Sequence, residues 1–383
     1  MRVMKAAVLA VIGVLLVFSA AMAADTVKIG MLVPLTGPAA ADGASALGSV
    51  QIALDQVNAA GGVLGKQVEL VYYDDRGDTK DAVALAHKII EQDKIVAFVA
   101  GSYSLPTRSV APIFQEEEVP LVAAYAIHPD VTRAGDYCFR NGFLGLVEGK
   151  AAGYAAHKLL GGKRVALLTS DNDFGQTLVL GFKQYKDKFA PDLEIVSEQT
   201  YPVSEKDYKP YLSKIKELNP DVIFASGYYF QTGPMLRQAR ELGIDTKIVG
   251  EEGADSPKLM EIAGDNAEGF YIVTNFDRDD PRDVVQNFLK EYRERHKIEP
   301  DMVGASAYDA FMIIVEAIRT AESTEGAKIR DAIAGLKDYN GLTGLIGGFD
   351  EIGEVVKPVQ VQVVKDGVFR HFGVVTEPEL IQP

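Results

Sequence analysis

The sequence predicts an α/β protein made of two lobes, each with a doubly wound parallel sheet. Short apolar runs alternate with longer amphipathic segments from Val27 to Gly250, which is the order of parallel strands joined by helical crossovers. The same order occurs twice, with a break near Asn141, although no letter-for-letter repeat accompanies it. A chain of 383 residues is also longer than one ordinary core holds. Two facing lobes would enclose a cleft.

The first block predicts four strands and the helices between them. The predicted strands are 27–33, 68–73, 95–100 and 119–123. The helix over 43–62 ends at a Gly-Gly pair, and the next helix carries Asp78 and Asp81 in its first turn. A third helix runs through Phe114. This order predicts one doubly wound sheet within the first 140 residues or so.

The second block predicts four more strands, followed by a more helical region and a final hairpin. The predicted strands are 164–169, 194–198, 222–225 and 247–250. The predicted helices are 146–160, 207–218, 231–242, 284–296, 303–321 and 327–336. Two alternating runs, 356–364 and 368–374, flank Asp366-Gly367 and predict a β-hairpin.

The first 23 residues have the pattern of a secretory signal peptide. Arg2 and Lys5 precede an apolar run over 6–18, and Ala21-Met22-Ala23 supplies the small residues of a cleavage site. We therefore expect cleavage near Ala23 and an exported, periplasmic mature protein.

The composition argues against nucleic-acid and anionic-membrane partners and excludes an internal disulfide. The chain carries 39 Lys and Arg against 54 Asp and Glu, a net charge of -15, whereas nucleic acids and anionic membranes select basic surfaces. With Cys138 as the single cysteine, no internal disulfide can form, and its apolar surroundings predict a buried thiol.

The motifs of common enzymes and cofactor sites are missing from the sequence. The five His residues are isolated, and neither a zinc-binding H-E-x-x-H nor a phosphate-binding Walker motif occurs. We therefore expect no metal, no cofactor and no catalytic set. A sensory ligand-binding domain and a secreted hydrolase that uses Ser104 stay as alternatives of other classes.

Six loops follow the carboxyl ends of predicted strands, where doubly wound sheets bind ligands. They are 34–43, 101–107, 124–129, 170–175, 227–231 and 250–255. In the second of these loops, Pro106 stands near a helix start, so helix amides and the Ser104 hydroxyl could bind an anion. A Ser-rich turn that only caps its helix is the alternative.

Charged and aromatic residues in the later loops suggest further contacts. Glu252 follows a buried strand and could accept hydrogen bonds from an ammonium group, or it could be a solvated loop acid. Phe174, Tyr228 and Tyr229 could form the wall of an apolar pocket, or they could pack on the helices that follow them.

Seven ordered motifs resemble the branched-chain amino-acid-binding proteins of ABC importers. They are PLTGP at 34–38, GGVLG at 61–65, YDD at 73–75, SYSLPT at 102–107, GYY at 227–229, MLRQAR at 235–240 and GEEG at 250–253. The resemblance implies a type I periplasmic binding fold, whose two lobes are joined by a three-segment hinge and close around one ligand. We expect an N-terminal lobe of 24–141 plus 275–350 and a C-terminal lobe of 142–274 plus 351–383.

The resemblance also implies the two ends of the binding site. Ser104 matches the serine that binds the ligand carboxylate, and Ser102 and Tyr103 lie beside it. Glu252 matches the acid that binds the α-ammonium group, with Gly253 as its neighbour.

Two aromatic positions and one loop complete the implied ligand-binding set. Phe174 and Tyr228 match aromatics that cover the ligand, and Tyr125-Ala126-Ile127 matches the loop after the fourth strand. Tyr125 and Ile127 depart from the family pattern, since Ile127 cannot supply a hydroxyl and Tyr125 adds bulk. The predicted ligand is an apolar amino acid, and an aromatic or other organic acid, an amide or urea is the alternative. The implied partners are the membrane subunits of an ABC transporter, and we expect a monomer.

Overall fold

A five-stranded parallel sheet forms the first half of the protein. The computed structural model describes residues 26–383, so the predicted signal peptide lies outside the described residues. The strands are β1 (Val27–Val33), β2 (Val68–Asp74), β3 (Ala97–Ala100), β4 (Leu121–Ala123) and β5 (Cys138–Arg140). Their order across the sheet is β2-β1-β3-β4-β5. The sequence prediction missed β5, which has three residues.

A seven-stranded sheet forms the second half. Its strands are β6 (Arg164–Ser170), β7 (Glu194–Tyr201), β8 (Val222–Ser226), β9 (Lys247–Gly250), β10 (Tyr271–Thr274), β13 (Val359–Lys365) and β14 (Val368–Val375). The order is β14-β13-β10-β9-β8-β6-β7, and only the pairs that involve β13 are antiparallel. The final hairpin is confirmed, whereas β10 lies where the sequence predicted mainly helix. A small ribbon contains β11 (Tyr339–Gly341) and β12 (Gly344–Ile346).

The helices cover the sheets and extend from the strand ends. They are α1 (Ala40–Ala59), α2 (Thr79–Glu91), α3 (Ser104–Glu116), α4 (Gly145–Tyr154), α5 (Asp173–Phe189), α6 (Lys209–Glu217), α7 (Tyr229–Glu241), α8 (Pro257–Ala263), α9 (Asp283–His296), α10 (Met302–Ala321), α11 (Gly326–Ala334) and α12 (Pro378–Ile381). The predicted helix over 146–160 is α4 followed by a π-helical turn, Ala155–Leu159. None of the helices within residues 26–383 combines enough length with enough apolar sequence to span a bilayer.

Two helices from the later part of the chain complete the hydrophobic core around the first sheet. α9 and α10 follow the second sheet in sequence, yet both pack against α1. Phe288 and Phe311 therefore belong to the same buried cluster as Val50 and Val99. Cys138 is buried in the first half of the protein, as predicted, and burial raises the pKa of its thiol to about 12. This packing also brings the start of α10 to the strand ends of the first sheet.

A close backbone approach positions the loop between β1 and α1. A Cβ atom on Gly43 would lie 2.1 Å from the carbonyl oxygen of Pro34, so only glycine fits there. The first turn of α1 is thereby held against the end of β1.

A buried ion pair connects β5 to a segment that precedes β13. Arg140 Nε donates to Glu354 Oε2 over 2.8 Å, and both side chains are almost fully buried. The same guanidinium group also donates to the carbonyl oxygens of Ala126 and His128. Glu354 accepts a further bond from the Thr132 hydroxyl at 2.6 Å. This network fixes the loop after β4.

We predict that Glu354→Ala lowers the free energy of unfolding by about 3–5 kcal/mol, because it leaves a buried guanidinium group without its counter-ion. Urea denaturation measures the change. The matched control is Glu194→Ala, which removes an exposed ion pair with Arg164 and should cost less than about 1 kcal/mol. Equal losses for the two variants would contradict this assignment.

Candidate functional site

A small cavity lies at the carboxyl ends of the strands, between the two sheets. Seven of the ten predicted ligand-binding residues line it, together with three residues that the sequence did not single out. The lining residues are Asp42, Tyr103, Ser104, Tyr125, Phe174, Tyr228, Glu252, Gly253, Met302 and Val303. The cavity volume is about 20 Å³, room for a single water molecule.

The N-terminus of α3 forms one side of the cavity. Tyr103 is the N-cap residue, and no side chain caps this helix. The Ser104 hydroxyl oxygen instead accepts a hydrogen bond from the Ile127 amide at 3.1 Å. A hydroxyl that accepts a bond keeps its own proton for donation, and the first helix amides have no partner inside the helix. Together they can bind a carboxylate.

Glu252 forms the opposite side of the cavity. It follows β9, begins a short 3-10 turn, and is 2% exposed, so it is not a solvated loop acid. Its amide donates to Glu148 Oε1 at 2.9 Å, whereas its Oε2 has no hydrogen-bond partner in the described part of the chain. Burial, followed by the nearby Glu251 carboxyl, raises the pKa of Glu252 well above its ordinary value. A ligand ammonium group would stabilise the ionised form of this buried carboxyl group.

Glu148, Glu251 and Glu252 form a buried cluster of three carboxyl groups. Glu251 accepts hydrogen bonds from the amides of Gly227 and Gly253 at 2.8 and 2.6 Å. Burial nevertheless raises the pKa of Glu251 to about 8, and it raises the pKa of Glu148 as well. Burial therefore favours the protonated form of the carboxyl groups in this cluster.

An aromatic stack separates the cavity from the cleft mouth. The rings of Tyr103 and Tyr228 stack with centroids 4.5 Å apart, and the Phe174 ring also stacks with Tyr228, at 4.8 Å. Tyr103 follows a strand of the first sheet, and Tyr228 follows a strand of the second. The side-chain oxygen of Gln231 accepts a hydrogen bond from the Tyr228 amide at 3.1 Å, which holds Tyr228 in place. The cavity is too small for an amino acid, so a ligand of that size fits only if the walls of the cavity move apart.

A larger pocket of about 420 Å³ lies outside the stack, at the cleft mouth. Arg76 and Arg108 are among its lining residues. Arg108 lies on α3 and pairs with Asp173 of α5 at 2.9 Å, so the ion pair crosses the cleft. The Tyr229 hydroxyl makes a second crossing contact by donating to the Pro38 carbonyl at 2.7 Å.

Three predicted ligand-binding residues do not line the two cleft cavities. Ser102 lies beside Asp75 in a separate small cavity of the first half. The Ala126 carbonyl accepts from Arg140, and the Ile127 side chain packs into a core cluster with Phe143 and Val147. Only the backbone amide of Ile127 approaches the site, through Ser104.

Asp42, Met302 and Val303 line the cavity without having been predicted. Asp42 lies in the loop 34–43, which the sequence predicted at the cleft, so its place beside the cavity could have been inferred from the sequence. Met302 and Val303 begin α10, whose packing on α1 brings them there from far along the chain. No local pattern indicates that contact.

A family model described as periplasmic binding protein matches residues 26–368. The chain belongs to this family. The Pseudomonas aeruginosa leucine-, isoleucine-, valine-, threonine- and alanine-binding protein is 29% identical over 341 residues, covering 88% of this chain and 89% of the relative. The resemblance to branched-chain amino-acid-binding proteins is thereby confirmed.

Solved structures of periplasmic binding proteins confirm the type I fold. The branched-chain amino acid transporter substrate binding protein of Streptococcus pneumoniae, solved with isoleucine, matches with a TM-score of 0.86 and 29% identity over 92% of this chain and 99% of that one. An ABC transporter solute binding protein of Rhodopseudomonas palustris, solved with 3,4-dihydroxybenzoic acid, matches with a TM-score of 0.83 and 25% identity over 92% and 97%.

We predict that the free energy of unfolding falls as pH rises from 5 to 8. The pKa of Glu251 is about 8 in the folded protein and has an ordinary value of 4.5, so its stabilising contribution is complete below pH 4.5 and is lost through pH 8. One such group gives a slope of up to about 1.4 kcal/mol per pH unit. Urea denaturation at pH 5, 6, 7 and 8 measures the slope.

The variant Glu251→Gln should reduce this slope, because it removes one titrating carboxyl group. The exposed Glu217 on α6 provides the control, and Glu217→Gln should keep the full slope. An unchanged slope in Glu251→Gln would count against the raised pKa.

Proposed function

We propose that this protein captures an α-amino acid by lobe closure and delivers it to the membrane subunits of an ABC importer. The observation that carries the proposal is the buried Glu252 Oε2, which lacks a hydrogen-bond partner in the described residues and lines the same cavity as the N-terminus of α3. An α-amino acid presents an ammonium group and a carboxylate, and these two groups match the two sides of the cavity.

The charges around the aromatic stack support this orientation. Arg76 and Arg108 line the outer pocket beside Ser104, whereas Glu252 lies on the inner side. A zwitterion would direct its carboxylate toward Ser104 and its ammonium toward Glu252. The rings of Phe174 and Tyr228 would contact its apolar atoms.

Such a ligand would couple binding to closure. Ser104 follows the first sheet, and Glu252 follows the second, so a ligand held by both stabilises the closed arrangement more than the open one. Arg108, Asp173 and Tyr229 already connect the two sides, so closure does not depend on the ligand alone.

An aromatic acid is the second candidate ligand. The stack of Tyr103, Tyr228 and Phe174 favours it, since another aromatic ring could insert among these rings, and the Rhodopseudomonas relative was solved with an aromatic acid. An acid without an amine would leave the Glu252 carboxyl without a cationic partner, which disfavours its burial. The amino acid is therefore preferred.

The hydrolase alternative loses support from the surroundings of Ser104. Within the described residues, its hydroxyl bonds to the Ile127 amide, and no histidine or carboxylate is hydrogen-bonded to it. A nucleophilic serine needs such a base. The proposal also includes a periplasmic location and a monomeric state. Sedimentation of the mature protein tests the monomeric state, and fractionation of the cells that express it tests the location.

We expect Glu252→Gln to weaken amino-acid binding by about 1.5–3 kcal/mol, roughly 10- to 150-fold, because a charged hydrogen bond becomes a neutral one. Mass spectrometry of ligand retained after mild denaturation identifies candidates. Calorimetry with Leu, Ile, Val, Phe, benzoate and urea then measures affinities.

Glu261→Gln, on the exposed face of α8, is the control and should leave affinity unchanged. Micromolar binding of an aromatic acid together with failure of every amino acid would overturn the proposal. Unchanged affinity in Glu252→Gln would exclude Glu252 as the ammonium site.

A further inference from the structure

Asp42 is a second carboxyl group in the cavity, and it comes from the opposite side to Glu252. It lies in the first turn of α1 and is 2% exposed. Acidic residues are common in the first turn of a helix, where the helix dipole favours them, but there they are normally solvated. Burial against the cavity therefore needs a further reason.

Within the described residues, no cation is paired with the Asp42 carboxyl group. Its Oδ2 accepts a hydrogen bond from the Tyr103 hydroxyl at 2.6 Å. No ion pair joins Asp42 to a lysine or arginine in residues 26–383. Arg278, a buried cation nearby, pairs with Asp255 and also donates to Gln362.

Neighbouring acids make the burial of Asp42 still less favourable. Burial raises the pKa of Asp42, and the Asp301 and Asp255 carboxyl groups raise it further. A hydrogen-bond donor or a cation brought by a ligand would offset this cost, whereas an aliphatic group would not.

The second observation that indicates a ligand is the unpartnered Glu252 Oε2 in the same cavity. If Glu252 binds the α-ammonium group, Asp42 is left to contact another part of the ligand. The rings of Tyr103, Tyr125 and Tyr228 line the space between the two carboxyl groups. Tyrosine faces accept both apolar and cationic groups.

We propose that Asp42 is a specificity-determining residue that selects amino acids whose side chain carries a hydrogen-bond donor, such as a hydroxyl, amide or ammonium group. This inference rests on the proposed function, because it takes the α-ammonium group to be bound by Glu252. It excludes purely aliphatic amino acids as the preferred ligands. A site that hydrogen-bonds a ligand side chain rejects the analogue lacking that group, because the buried partner is left unpaired.

Calorimetry with matched ligand pairs tests the proposal on the mature wild-type protein. Thr against Val, ornithine against norvaline, and Tyr against Phe differ mainly in the side-chain donor. We expect the donor member of at least one pair to bind tenfold or more tightly. Equal affinities within every pair would overturn the inference, and this result needs no variant.

Variants then assign the preference to Asp42. Asp42→Leu combined with Tyr103→Phe removes the acceptor without stranding the tyrosine hydroxyl, and it should bring the preferred pair within about threefold. Asp55→Leu, on the exposed face of the same helix, is the control and should keep the full preference. Asp42→Asn keeps an acceptor, so it should retain a preference for a hydroxyl and lose one for an ammonium group.

Glu252→Gln distinguishes this inference from the proposed function. It should weaken both members of a pair by a similar factor and leave their ratio unchanged. If Val and norvaline bind tightly, lose affinity in Glu252→Gln and bind as well as their donor-bearing partners, the inference about Asp42 is wrong. The proposed function would stand in that case. Binding of benzoate with failure of every amino acid defeats both proposals.

Discussion

The burial of carboxyl groups between the two sheets is the constraint on which the site depends. Glu252, Glu251, Glu148 and Asp42 are all removed from water at the strand ends. Such burial is unfavourable unless protons, donors or cations compensate it. Backbone amides satisfy both oxygens of Glu251, whereas Glu252 Oε2 receives no such bond within the described chain. In the proposed function, selectivity depends on which carboxyl groups the protein satisfies itself and which it leaves to a ligand.

Buried ion pairs elsewhere are satisfied within the protein and hold distant segments together. Arg140 and Glu354 tie β5 to the chain before β13, and Arg278 and Asp255 tie the chain after β10 to the turn after β9. Lys357 donates to the Thr343 hydroxyl, and burial lowers its pKa to about 8. Buried pairs of this kind contribute little net stability but are costly to break, so they fix geometry. None of these charged residues lines the small cavity.

Sequence reasoning recovered the features that have a local cause. Parallel strands buried on both faces read as apolar runs, so the succession of most strands along the chain and the cleft loops were predicted, and with them the positions of Ser104 and Glu252 beside the cavity. β5 has three residues and ends at the charged Arg140, so its apolar run is too short to indicate a strand, and β10 lies in a region whose sequence predicted mainly helix. Met302 reaches the cavity only through packing of α10 on α1, which no local pattern encodes. Ile127 was predicted to contact the ligand because its position matches a ligand-binding position of the family, but its apolar side chain is buried in the core instead.

The aromatic stack has an optical consequence. The chain contains no tryptophan, so its near-ultraviolet absorption and emission come mainly from tyrosine. Tyr103 and Tyr228 lie face to face across the cleft, and Tyr103 donates its hydroxyl proton to a carboxyl group. Separation of the two rings changes the surroundings of both at once. The protein therefore carries a built-in spectroscopic reporter of the distance between its two halves, with no label attached.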